Sequence, residues 1–183
     1  MSMSLKEKTI VLGVTGSIAA YKAADLCSLL VKERADVHVV LTKEAQQFIT
    51  PMTLQTLSRN RVATDFWQPD QEHECGHIQL ADAADLLLVA PLTAHTMGCF
   101  AHGFAPDMLT AIYLATPAPV LLAPAMNGKM YAHPATQQNK ETLQHYGCQF
   151  VEPAEGMLAC GYEGVGKLAQ PEVIVDAARE CLA

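Results

Sequence analysis

Residues 124–131, Pro124-Ala125-Met126-Asn127-Gly128-Lys129-Met130-Tyr131, set a polar amide directly after an apolar run, residues 116–123, that reads as a core strand. In an α/β protein the carboxyl end of such a strand opens into the crevice where ligands bind, so Asn127 is a candidate ligand contact. An ordinary turn relaxed by Asn and Gly would use the same letters. A second candidate is residues 13–20, Gly13-Val14-Thr15-Gly16-Ser17-Ile18-Ala19-Ala20, which follow the first strand-like run and open a helix. Free amides and hydroxyls there suit a phosphate, with Ser17 otherwise a plain N-cap. The stretch lacks the third glycine of a dinucleotide fingerprint and the Lys-Ser/Thr pair of a P-loop, and the second strand ends in Leu41-Thr42 where an acidic ribose ligand would stand. A mononucleotide phosphate therefore fits better than a nicotinamide dinucleotide.

His73-Glu74-Cys75-Gly76-His77 spells H-E-x-x-H, the zincin pattern. Two zinc-binding histidines must share the face of one continuous helix. Pro69 upstream and Gly76 inside the motif oppose such a helix, and helical patterning begins only at about residues 77–84, so no metal site is expected. His77 alone stays a candidate base, at the start of a helix that leads into a core strand. Residues 156–171 carry four glycines in their first eleven positions and read as a long loop without helix or strand, a flap spanning about 155–171. Cys160 within it would be accessible as an acid or nucleophile.

The elements that must position these groups alternate. Strand-length apolar runs at residues 9–14, 36–41, 85–90, 120–123 and 148–151 are separated by amphipathic helical stretches. Leu86-Leu87-Leu88-Val89 shows no alternation, as expected of a strand covered on both faces. The pattern predicts a Rossmann-like, doubly wound parallel sheet in a single domain over residues 1–183, with its core at 9–178. Right-handed crossovers then bring the turns starting at Thr15, Thr42, Pro91, Pro124 and Glu152 to one edge.

Composition limits the partners. The chain has 183 residues, half of them apolar, a net charge of -7 and a pI near 5.4. No basic block offers a nucleic-acid or anionic-membrane surface. No apolar run approaches the roughly 20 residues of a membrane span, and the first residues do not resemble a signal peptide, so a cytoplasmic protein is expected. The six cysteines fall without paired spacing and are expected as thiols.

Taken in order, these motifs resemble the flavin-dependent cysteine decarboxylases, the family that contains phosphopantothenoylcysteine decarboxylase. The family pattern P-x-M-N-x-x-M-W is matched by residues 124–131 with Tyr131 in place of Trp, and its catalytic histidine, flavin-site turn and flap cysteine are matched by His77, residues 13–20 and Cys160. The resemblance spans residues 9 to about 178. It implies an FMN site at the junction of subunits in a homotrimer or dodecamer, with FMN contacts from Gly16, Ser17, Ile18, Thr42, Phe48, Pro91, Thr93, Ala94, His95 and Thr96. It implies a small cysteinyl substrate held by Met126, Asn127, Met130 and Lys167. His77 would act as base in oxidising the carbon beside sulfur, which permits loss of the carboxylate, and Cys160 would protonate the enethiolate as it is reduced.

Two departures lie in the site: His95 stands where the family's P-A-S-A-N-T type turn has asparagine, and residues 103–107, Gly103-Phe104-Ala105-Pro106-Asp107, depart from its A-D-N or C-D-N lead. The resemblance implies a stand-alone enzyme converting 4'-phosphopantothenoylcysteine to 4'-phosphopantetheine in coenzyme A biosynthesis. The alternatives are a peptidyl-cysteine decarboxylase of lantibiotic type, which needs no flap acid, a flavin prenyltransferase-like protein, and a non-catalytic flavin-binding regulatory subunit.

Overall fold

The computed structural model describes residues 4–66, 76–157, 159 and 161–183. Five parallel strands form the central sheet: β1 (Thr9–Val14), β2 (Asp36–Leu41), β3 (Leu86–Leu92), β4 (Val120–Pro124) and the short β5 (Gln149–Phe150), in the spatial order β2-β1-β3-β4-β5. Helices α1 (Ala23–Lys32), α2 (Pro51–Ser58), α3 (Gly76–Ala83), α4 (Ala94–His102), α5 (Met108–Ala115), α6 (Gly128–Tyr131), α7 (Pro134–His145) and α8 (Pro171–Cys181) connect and cover it. None of the described helices is long and apolar enough to cross a membrane.

The lack of alternation in the strands follows from burial on both faces. Every residue of β3 is buried. Ile10, Leu12, Leu86 and Leu88 pack with Leu26 and Leu30 of α1 and Ile174 and Ala178 of α8 on one side. Val11, Leu87 and Val89 pack with Phe100 of α4 and Leu109 and Ile112 of α5 on the other. Alternate residues of one strand thus enter different cores, and both cores are apolar.

The register of β1 against β3 is secured at its start by Asp85. Its carboxylate accepts from the Thr9 N–H at 2.8 Å and from Lys8 Nζ at 3.0 Å. Those bonds, the backbone one foremost, hold the Asp85 carboxyl below its ordinary value. Asp85 itself lies one residue before the strand. The chain reverses its sheet order at β1, with β2 on one side and β3 on the other, so the switch point of the sheet falls at the carboxyl ends of β1 and β3.

Two expected elements differ. The run from Thr116 is not strand until Val120, because Pro117 and Pro119 lack the N–H that a ladder needs; Thr116 instead closes α5, its hydroxyl donating to the Ala81 carbonyl at 3.0 Å. The flap is not an irregular loop: β6 (Ala154–Met157) and β7 (Glu163–Lys167) pair antiparallel. Its glycines do not break it: Gly156 and Gly166 sit at φ of 151° and 154°, an extended backbone that side chains with a Cβ rarely adopt. Glycine here permits a strand. The described cysteines Cys27, Cys99, Cys148 and Cys181 are free thiols, with burial raising Cys27 to about 11.

Candidate functional site

A cavity of about 630 Å³ opens at the carboxyl edge of the sheet, over the switch point, within the usual size of a cofactor or small-ligand site. The turn after β1 enters it as Gly16, Ser17 and Ile18. Ser17 caps a 3₁₀ turn, Ile18–Lys22, its hydroxyl accepting from the Ala19 N–H at 3.3 Å. The turn after β3 is tied to this one by Thr15, whose hydroxyl donates to the Pro91 carbonyl at 2.6 Å and accepts from the Thr93 N–H at 3.0 Å. Thr93 then caps α4, accepting from the Thr96 N–H, and the two threonine hydroxyls lie 3.1 Å apart. Thr42 closes the turn after β2 by accepting from the Ala45 N–H at 3.3 Å. Three strand ends therefore deliver hydroxyl groups to one wall.

The opposite wall comes from the turn after β4 and from the hairpin. Asn127 caps α6, its Oδ1 accepting from the Lys129 N–H at 2.9 Å, and Met126 and Met130 lie beside it. The Met126 N–H donates to the Gly166 carbonyl at 2.9 Å, which docks β7 against this turn and brings Lys167 to the cavity. A Cβ on Gly166 would collide with the Met126 carbonyl oxygen, so the docking requires glycine there.

Of the sequence-predicted residues, Gly16, Ser17, Ile18, Thr42, Thr93, Ala94, His95, Thr96, Met126, Asn127, Met130 and Lys167 all line this cavity. Pro91 lies behind it, buried, contributing its carbonyl to Thr15. Phe48 is 45% exposed and stands outside the lining. His77 is also outside it: its ring meets Phe66 edge-on at 5.4 Å, and Phe66 lines a second cavity of about 270 Å³ that shares Thr42, Glu44, His95 and Asp107 with the first. Cys160 lies outside the described residues, as do His73, Glu74 and Cys75 of the H-E-x-x-H letters. Among the described residues no His, Cys, Asp and Glu group could hold a metal ion.

The cavity also holds residues that spacing did not indicate. Lys22 reaches it from the end of the 3₁₀ turn, and Asp107 from the N-cap of α5, where its carboxylate accepts from the Thr110 N–H at 2.8 Å. Asp107 is legible as a helix start followed three residues later by Thr110, a reciprocal capping pair. Its place beside His95 arises only when α4 and α5 fold back together.

The donor set suits a flavin mononucleotide. The hydroxyl-bearing Ser17, Thr42, Thr93 and Thr96 and the amine-bearing Lys22 line the cavity, while Ile18, Tyr21, Ala94, Met126 and Met130 supply apolar surface for a flat ring. Gly16 is a second crowded point: a Cβ there would collide with the Glu44 Cβ, so the turn has no room for a side chain where a ligand must approach backbone.

A parallel sheet of this order with a hydroxyl-lined cavity over its switch point defines a doubly wound mononucleotide-binding protein. The chain belongs to the Flavoprotein family, whose model it matches over residues 1–183. It is 48% identical over 176 residues to the coenzyme A biosynthesis bifunctional protein CoaBC of Bacillus subtilis (strain 168), covering 96% of this chain and 43% of that protein. The chain thus spans under half the length of that relative. It is 46% identical over 177 residues to a probable phosphopantothenoylcysteine decarboxylase of Streptococcus mutans serotype c, covering 96% of this chain and 99% of that one. Among solved structures it resembles the FMN-dependent cysteine decarboxylase SpaF with a TM-score of 0.85 and 29% identity over 98% of this chain and 100% of that one.

Proposed function

We propose that this chain is an FMN-dependent carboxy-lyase that decarboxylates 4'-phosphopantothenoylcysteine to 4'-phosphopantetheine in coenzyme A biosynthesis. The observation that carries the reading is one cavity joining the hydroxyl-bearing strand ends to the Asn127 turn and the β6–β7 hairpin, in a chain collinear with almost the whole of a relative bearing that activity in its name. FMN, when bound, supplies the two-electron sink without which a simple cysteinyl carboxylate cannot depart as CO2.

The chain's own groups do the rest. Ser17, Thr42, Thr93 and Thr96 would hold the cofactor's phosphate and ribityl hydroxyls, and Lys22 would offset its charge. Asn127 would hold the cysteinyl carboxylate and amide, with Met126, Met130 and Lys167 around the chain of the substrate. His77 is the proposed base and Cys160 the proposed acid; its proton, together with the return to the substrate of the two electrons that FMN would have taken, would convert the enethiolate into the saturated thiol.

His77 does not line the cavity of its own chain, although the proposed chemistry needs a base there. This supports a homo-oligomer, a trimer or an assembly of trimers, in which a neighbouring subunit's His77 completes the site. Exposed Ile18 and Tyr21, at 60% and 59%, line the cavity and offer apolar surface for such contact.

The purified protein, supplied with FMN and 4'-phosphopantothenoylcysteine, is expected to release CO2 and yield the saturated thiol by mass. Absence of CO2 would remove the activity, and a persistent enethiol two mass units lighter would favour the peptidyl-cysteine type instead.

A further inference from the structure

We infer that Lys167, at the end of β7, selects for a phosphate monoester that the substrate carries on a neutral chain, away from its cysteinyl group. The identity of the substrate rests on the decarboxylase reading; the charge pattern of the cavity does not. The turn after β4 and the β6–β7 hairpin give the cavity a wall on which, among the described residues, Lys167 is the one that carries a charge. Around it stand Asn127 and the apolar Ala125, Met126, Met130, Met157 and Leu168. The two carboxylates that line the cavity, Glu44 and Asp107, come from the turn after β2 and the start of α5, and both also line the smaller cavity. Among the described residues the Lys167 ammonium has no ion-pair partner.

The backbone of Lys167 is held from both sides. Gly166 before it accepts the Met126 N–H at 2.9 Å, and Leu168 after it is buried in the core beneath α1 and α8. Neighbouring strand residues point to opposite faces. Since the Cβ position of Gly166 faces the backbone of residues 126–128, the Lys167 side chain leaves from the other face of the hairpin. It runs across Gly156, where a Cβ would lie 3.9 Å from its Cδ and 4.0 Å from its Nζ. The ammonium therefore stands over β6, on the face of the hairpin turned away from the Asn127 turn.

A fixed cation on a largely apolar wall suits a ligand with a neutral body and an anionic group. The proposed substrate has two anions that could claim it, the reacting carboxylate and the phosphate. An ammonium paired with the carboxylate would stabilise the ground state, because that charge is gone in CO2, and would slow the reaction. The phosphate keeps its charge from substrate to product, so pairing with it strengthens binding without slowing the chemical step. Lys22 is placed for the cofactor instead: it ends the 3₁₀ turn that Ser17 caps, on the hydroxyl wall. The cavity thus offers one lysine to each phosphate of the proposed reaction.

The test compares 4'-phosphopantothenoylcysteine with pantothenoylcysteine as substrates of the FMN-loaded protein. The wild type is expected to favour the phosphorylated compound in kcat/KM. Lys167→Gln is expected to raise KM for that compound roughly five- to twentyfold, the scale of one charge-assisted hydrogen bond at an open site, with kcat within about twofold. With the dephosphorylated compound the variant should stay within about twofold of wild type, and Lys167→Arg should keep most of the selectivity. A retained flavin spectrum shows that each variant is folded. Equal losses on both compounds would place Lys167 at the carboxylate and overturn the assignment, as would a wild type that does not discriminate. Release of CO2 from neither compound would sink the decarboxylase reading, and equilibrium dialysis of 4'-phosphopantetheine and pantetheine would then decide the lysine. The wild type is expected to bind the phosphorylated compound more tightly and Lys167→Gln to lose that preference; the same ratio of Kd values in both proteins, or no preference in the wild type, overturns it.

Discussion

His77 is the residue on which the proposed chemistry turns. It stands in the first turn of α3, with Phe66 against its ring. A general base contributes on the order of 100-fold or more, so His77→Asn is expected to lower CO2 release by at least about that factor. Because His77 does not line the cavity that holds the hydroxyl wall, the variant should keep FMN, read as an unchanged flavin absorption spectrum. Unaltered turnover would take His77 out of the mechanism. The hydroxyl wall was legible in the sequence because strand ends in a doubly wound sheet share an edge, so Ser17, Thr42 and Thr93 could be grouped without coordinates. Lys22 and Asp107 were not. Each reaches the site through helix packing that no local pattern encodes.

At the scale of elements, the fold of the sheet was readable and the flap was not. Strands with unbroken apolar runs leave little choice of environment, whereas a glycine-rich segment reads as a loop until its pairing partner is known. Behind the Asn127 turn a polar network ties α6 and α7 to the end of the sheet. The Tyr131 hydroxyl donates to Glu152 at 2.6 Å, and Lys140 Nζ reaches both Glu152 and the Tyr131 oxygen. Burial raises the Tyr131 hydroxyl, assisted by the carboxylate beside it. Burial also pushes the Glu152 carboxyl up, but the hydrogen bonds from Lys140 and Tyr131 outweigh it and leave the carboxyl below its ordinary value.

The folded state therefore binds the Glu152 proton more weakly than the unfolded chain does. Its stabilisation is present above the unfolded value of about 4.3 and is lost as pH falls through the lower folded value. The Glu152 side chain is 60% exposed, so solvent screening limits the contribution to at most about 1 kcal/mol. Glu152→Gln is expected to lower Tm by roughly 1–4 °C at pH 7, with the gap closing near pH 3. Thermal melts of both proteins at the two pH values check this; an equal gap at each would mean that packing of the side chain, not its charge, supports α6.

At the scale of the whole molecule, the homo-oligomer proposed above would divide the site between subunits. Asn127 lines the cavity of its own chain, and His77 does not. If a neighbouring copy supplies the base, two variants that are each inactive must complement one another. In a mixed ring built from His77→Asn and Asn127→Ala chains, one kind of junction meets an intact Asn127 with an intact His77. Random mixing at equal amounts places that junction at about a quarter of the sites, whatever the size of the ring, because each site draws one residue from each of two adjacent chains. Coexpression is therefore expected to restore about a quarter of wild-type CO2 release per site, while the separately purified variants stay inactive. A site completed within one chain predicts no recovery, since every chain then carries one defect. The contrast does not depend on whether the assembly is a trimer or a cluster of trimers. It depends only on a head-to-tail junction, the arrangement in which unlike faces of two copies meet.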